Sequence, residues 1–236
     1  MKIDIGFKKG VLVVPVHGEK DKISFFDAKK NKDLKEKIKH EVKSYPAFSG
    51  KKEEAVFMKL DSQKVLLIGV NKDYSLEDLR RSYSVVFKTL KARKETTATL
   101  EVPEEGNDEI KAVVEGLDLS DYKFDKYIMK KEEKDVVIEV SLDVDKKFAS
   151  VVKESMMINA HVKETRDLVN ENASVKYPQY LANLVEDFAK KHHLKTTVLD
   201  EKDMKKEGLG LILAVGRGAV HQPRLIIAEY HGDPKS

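Results

Sequence analysis

Short continuous apolar runs alternate along this chain with stretches whose apolar residues recur every three or four positions. The run VLVVPV (Val11 to Val16) predicts a strand. Pro15 has no N–H to give to a ladder, which suits an edge or a strand end. AVFMKL (Ala55 to Leu60) and KVLLIGV (Lys64 to Val70) flank DSQ and predict a tight hairpin. KVLLIGV shows no alternation, as in a strand covered on both faces. SLEDLRRSYSVVFKTLKAR then switches to the helical period, with Leu76, Leu79, Tyr83, Val86 and Leu90 on one stripe. Ser75 and Asp78 stand at capping-box spacing, where each side chain accepts from the other residue's backbone N–H. TATLEVP predicts a strand ended by Pro103, and DEIKAVVEGLDLSDY a helix closing at Gly116 or just beyond. KDVVIEVSL (Lys134 to Leu142) predicts a further strand. Strands interleaved with helices predict a layered α/β domain over residues 1–145.

Asp145 is placed to cap a helix running to about Val162, with Phe148, Val152, Ser155, Met156 and Asn159 on one face. Residues 146–164 thus read as a connecting helix, and its methionines as core filling. TRDLVNENASVKYPQ reads as a polar loop. Pro178 follows at the first position of a helix, where its missing N–H costs nothing. Leu181, Leu184, Val185 and Phe188 form that helix's stripe, and Lys190, Lys191, His192 and His193 put positive charge at its negative pole. KTTVLD predicts a strand, EKDMKKEGLG a short helix closed by glycine, and LILAVG and RLIIAEY two more strands. Residues 165–236 read as the opening of a second α/β domain whose remaining strands are absent. Leu211, Ile212, Leu225, Ile226 and Ile227 are then expected to be partly exposed. The chain should self-associate, dock this segment on its own first domain, or need a complementary half.

Composition narrows the field. The 236 residues are 36% charged, but 44 basic against 41 acidic side chains leave only +3. Nucleic-acid binding gains no support from that balance. No cysteine is present, which excludes disulfides, thiolate zinc sites and cysteine nucleophiles. No signal-peptide pattern opens the chain, and no apolar run approaches a membrane span of about 18 residues. Together these point to a cytoplasmic protein. Seven histidines are present, yet none stands in HExxH or at another metal-ligand spacing. His192–His193 reads as a helix-end charge, since adjacent residues on a helix point apart. Gly216–Arg217–Gly218 lacks the third glycine of a dinucleotide loop and reads as a flexible turn between two strands. Glu104–Glu105 and Glu132–Glu133 read as solvated loop charges. No catalytic, cofactor-binding or metal residue emerges.

Several segments in fixed order carry a resemblance. They are Arg166-Asp167-Leu168-Val169-Asn170, Leu199 to Gly210, Ala214-Val215-Gly216-Arg217-Gly218, and Pro223 to Gly232. In the first half, VEGLDLSDYKFDKY (Val114 to Tyr127) and KVLLIGVNKDYSLEDLRRS agree as well. Together these resemble the leucyl aminopeptidases, two-metal cytosolic exopeptidases. The resemblance implies a macro-like α/β domain, a connecting helix and the beginning of a peptidase domain, in an enzyme that is typically hexameric. It implies two divalent metals, zinc or manganese, only in the complete enzyme. The family's ligands and catalytic arginine lie in and beyond a KGxTFDSGG segment with no counterpart among these residues. Within the matched part Glu171-Asn172-Ala173-Ser174 replaces a proline pair, Tyr177 a capping Thr or Ser, and Ala219 a Ser. The resemblance therefore implies the amino-terminal portion of an aminopeptidase, inactive alone, with an assembly or regulatory role. The alternative is a stand-alone binding module for an ADP-ribose-like nucleotide or DNA, weakened by glycines scattered rather than clustered.

Overall fold

Alternation within single strands explains the first domain's layering. The computed structural model describes residues 1–19, 22–27, 29–129 and 137–232. Contacts divide the chain into two units, Met1–Thr165 and Arg166–Ser236. The first contains β1 (Lys2–Ile5), β2 (Val11–Glu19), β3 (Lys22–Phe25), α1 (Lys32–Glu41), β4 (Ala55–Leu60) and β5 (Gln63–Gly69). It continues with α2 (Leu76–Ala92), β6 (Thr97–Leu100), α3 (Asn107–Leu119) and β7 (Glu139–Leu142). Helix α4 (Ala149–Asn170) runs through the boundary between the units. The expected strand from Lys134 begins outside the described residues and is seen from Glu139.

The sheet runs β1-β7-β6-β2-β5-β4, with β3 on the end of β2. β1, β7, β6, β2 and β5 are mutually parallel, while β4 and β3 are antiparallel to their neighbours. In β2, Val11 and Val13 join one core, and Leu12, Val14 and Val16 the other. In β5, Leu66 and Ile68 face the first, and Val65 and Leu67 the second. The first core takes the stripes of α2 and α3, with Phe148 and Val152. The second takes Ile38 of α1 with Met58 and Leu60 of β4. The unbroken apolar run of β5 thus reflects burial on both faces, as its sequence implied.

The Ser75–Asp78 capping box forms as spaced, and Pro178 occupies the start of its helix. The hairpin joins Leu60 to Gln63 through Asp61 and Ser62, with Asp61 at φ 52°. Pro15 departs from expectation, since β2 is central rather than an edge. Glu101 N–H donates to the Val13 carbonyl, so Val13 and, by alternation, Pro15 face the β6 side. There the pairing passes from β6, which ends opposite Val13, to β3, whose last residue pairs with Val16. Pro15 falls in that gap, and its missing N–H breaks no rung.

The second unit holds α5 (Pro178–His192), β8 (Lys195–Leu199), α6 (Glu201–Lys206), α7 (Gly210–Gly216) and β9 (Leu225–Glu229). β8 and β9 pair antiparallel as a two-stranded sheet. Two expectations are corrected here. Residues 165–170, read as loop, continue α4. LILAVG, read as a strand, is helix α7. A short unalternating apolar run fits a buried strand or a helix equally well. Leu and Ala favour the helix, and β9 already fills one side of β8.

Candidate functional site

Open parallel α/β sheets bind ligands beyond the carboxyl ends of their strands. In the first unit those ends are closed by the chain's own side chains. Glu101, immediately after β6, is almost fully buried and pairs at 2.8 Å with Lys35 Nζ, whose side chain is 2% exposed. Lys35 also donates to the Asp27 carbonyl at 2.6 Å, and Asn31 Nδ2 to Glu101 Oε1 at 2.9 Å. The Tyr83 hydroxyl, fully buried on α2, donates to the Glu101 carbonyl at 2.6 Å. Its burial, with Glu101 nearby, pushes its pKa well up, keeping the donor neutral. Beyond β7, Lys30 Nζ pairs with Asp143 at 2.9 Å. Asp27 accepts from the backbone N–H groups of Lys30 and Lys29, which hold its carboxyl below the usual range. These contacts hold the segment leading into α1 across the ends of β6 and β7.

A second segment covers β2 and β5. The backbone of residues 49–51 lies so close that a Cβ on Gly69 would collide with the Lys51 carbonyl, and one on Gly50 would press on Gly18. Gly50 also has φ 76°, a conformation glycine adopts without strain. Glu54 accepts from the Ser49 and Lys51 N–H groups at 2.7 and 3.3 Å. Backbone donors of the kind that would cradle a phosphate are therefore engaged by an internal carboxylate. Beside them His17 and Phe26 meet edge-to-face at 5.1 Å, and Phe26 meets Tyr74 at 5.8 Å. Tyr74 is pushed up to about 12 by burial and by Glu104 and Glu109.

The Lys35–Glu101 pair escaped the sequence reading because α1 itself was not read. Its signal was present: Lys35 interrupts an apolar stripe of Leu34, Ile38 and Val42. The residues weighed as chemical candidates scatter instead. His192 ends α5 with its ring 4.2 Å from Phe188, and His193 is the left-handed cap at φ 55°. Gly216–Arg217–Gly218 ends a helix rather than joining two strands. Glu104 and Glu105 are exposed, Glu105 accepting from Asp145 N–H at 3.2 Å. Glu132–Glu133 lie outside the described residues. Among the described residues no three His, Cys, Asp or Glu side chains gather to hold a metal ion. Those residues do not fit a two-metal centre.

Comparison with known proteins accounts for this arrangement. The structure resembles tomato leucine aminopeptidase (mutant K354E) with TM-score 0.77, covering 96% of this chain and 50% of that one at 14% identity. The bottromycin maturation enzyme BotP, solved in complex with Mn, gives 0.72 over 95% of this chain and 46% of its own, at 19% identity. At such identities the likeness speaks for the mixed α/β fold alone. In sequence, the probable cytosol aminopeptidase of Protochlamydia amoebophila is 37% identical over 203 residues, 80% of this chain and 41% of the relative. That of Treponema denticola is 29% identical over 100% of this chain and 49% of its own length. The chain thus spans less than half the length of these relatives. Residues 13–131 match the profile of the cytosol aminopeptidase family's N-terminal domain, and residues 163–236 that of its catalytic domain. The chain belongs to the cytosol aminopeptidase family and comprises its N-terminal domain with the start of its catalytic domain.

Proposed function

We propose that this chain is the positioning and assembly portion of a cytoplasmic, metal-dependent aminopeptidase and is inert alone. In this reading the first unit is a closed structural domain with a macro-like sheet, not a nucleotide receptor, and the second supplies the base on which a catalytic domain is completed. Hydrolysis of an N-terminal peptide bond by two metals needs several carboxylates at fixed positions, which clamp the ions and activate water. The observation that carries the proposal is the pairing of a catalytic-domain match over residues 163–236 with the lack of any three-ligand group among the described residues. The closed strand ends of the first unit support it further, because Lys35 and Glu101 satisfy each other where a ligand would bind. Among the described residues no helix is long and apolar enough to cross a membrane.

The direct test is release of leucine from leucine amide by the purified 236-residue chain in manganese or zinc, alongside a metal titration followed by calorimetry. The expected outcome is no turnover and no stoichiometric metal uptake. Turnover with bound metal would overturn the reading.

A further inference from the structure

The face that α4 turns to the first unit changes character along its length. Phe148, just before the helix, and Val152 belong to the core shared with α2 and α3, and Val151 and Met156 pack against it. Further along, the same stripe turns polar. Ser155 is buried, but its hydroxyl donates to the Val151 carbonyl of its own helix at 2.8 Å and so holds nothing across the interface. A hydroxyl bonded four residues back also weakens and bends a helix slightly. Asn159 is 1% exposed, and its Nδ2 has no hydrogen-bond partner. A buried donor in this state is costly. One turn on, Lys163 Nζ reaches the almost buried Asp118 carboxylate of α3 at 2.6 Å. From Asn159 onward no described side chain of α4 joins either apolar core of the first unit. That unit ends at Thr165, and α4 runs on into the second as far as Asn170.

These contacts open at unequal cost. Lifting the start of α4 would expose Phe148 and Val152 to water, which the hydrophobic effect opposes. Lifting the helix from Asn159 onward exposes no core side chain. It returns water to Asn159 Nδ2 and to both members of the ion pair, whose desolvation offsets much of their attraction. We propose that α4 is a jointed lever: its root is fixed by Phe148, Val152 and Met156, and its far part is held by the releasable Lys163–Asp118 contact. The joint lies between Met156 and Asn159, where the contacts change kind. The connection to the second unit therefore tilts while the root stays in place, a hinge built into one helix. The argument uses contacts within the first unit alone and is independent of whether the chain is active.

Amide hydrogen exchange of the full 236-residue chain, read by mass spectrometry, is the test. Residues 157–165 are expected to exchange faster than residues 149–156. Asp118→Asn removes the charge that holds Lys163 and should speed exchange of residues 157–165 by about tenfold, leaving residues 149–156 and α2 unchanged. Asn159→Leu replaces the unpartnered donor with an apolar side chain of similar size and should slow the same residues by at least about fivefold. If Asp118→Asn instead loosens α2 as well, Lys163→Gln decides, since it alters a part-exposed position and spares the buried acid. It must reproduce the selective loosening, and unchanged exchange in that variant overturns the proposal. Equal exchange of the two parts of α4, or a response in which they move together, overturns it, because the helix is then one rigid body. Faster exchange in Asn159→Leu overturns it too, since the amide would then be holding the helix down.

Discussion

The two units solve the problem of covering a sheet to different degrees. The first lays helices over both faces of seven strands, and Val11 to His17 of β2 and Val65 to Gly69 of β5 are buried. The second has two strands, and among its described residues the buried hydrophobic side chains are only Ala182, Ala189 and Met204. An isolated two-stranded ribbon is marginal in water. The unit that lacks burial is also the one matched to a catalytic domain without presenting a metal-ligand cluster. The first unit is closed in both senses: its faces are covered, the ends of β6 and β7 are occupied by internal ion pairs, and those of β2 and β5 by the backbone of residues 49–51.

Separating the units should produce the largest effect. A chain ending after Thr165 is expected to keep a cooperative thermal transition and to be more soluble than the parent, as measured by calorimetry and by recovery in the supernatant. Residues 166–236 alone should show no cooperative transition. If the 1–165 chain unfolds, the first unit depends on the second and the contrast collapses. A smaller but still large effect is expected from Lys35→Met. It strands Glu101 in the interior without its charge partner, which costs about 3–5 kcal/mol. Urea denaturation should show the loss in the first unit's transition. Lys35→Met with Glu101→Met should recover most of it, because apolar replacements remove both desolvation penalties. Equal instability of the double variant would mean that the pair is held by more than mutual neutralisation.

The parts of this architecture legible in the sequence were those with a single local cause. β5 announced itself by an unbroken apolar run, α2 by its stripe and capping box, and α5 by Pro178 at its start. β1 and β3 were missed because each is four residues long and carries lysine or aspartate among its apolar positions. Their identity comes from their partners, β7 and β2. α1 was missed because lysines crowd its stripe, and with it went the Lys35–Glu101 pair, which joins residues 66 positions apart. The lysine that interrupts the α1 stripe signals a buried charge, but no local pattern names its partner. α7 was misread because its run is equally compatible with two periods. The choice between strand and helix was made by a tertiary fact, the pairing of β8 with β9.

Among the described residues the same capping device occurs in both units, which gives the finest probe of the contrast. Ser75 with Asp78 caps α2, and Asp200 with Asp203 caps α6. Ser75→Ala should lower the first unit's stability by about 1 kcal/mol, the usual value of such a cap. Asp200→Ala should leave that transition untouched, since α6 belongs to the other unit. Acid adds a second readout. The Asp78 carboxyl is held down at about 2, first by the Lys52 ammonium 2.8 Å away and then by the Ser75 backbone N–H, against the opposing effect of burial. In the unfolded chain an aspartate titrates near about 3.9. The folded form therefore binds this proton less readily than the unfolded form. The stability that Asp78 contributes is fully present above about pH 4 and is lost as the pH falls towards 2. Asp78→Asn should flatten the first unit's stability profile across that interval, as followed by urea midpoints at stepped pH. An unchanged slope would show that the Lys52–Asp78 contact does not persist in solution, and that the first unit is less closed at this end of α2 than its buried core suggests.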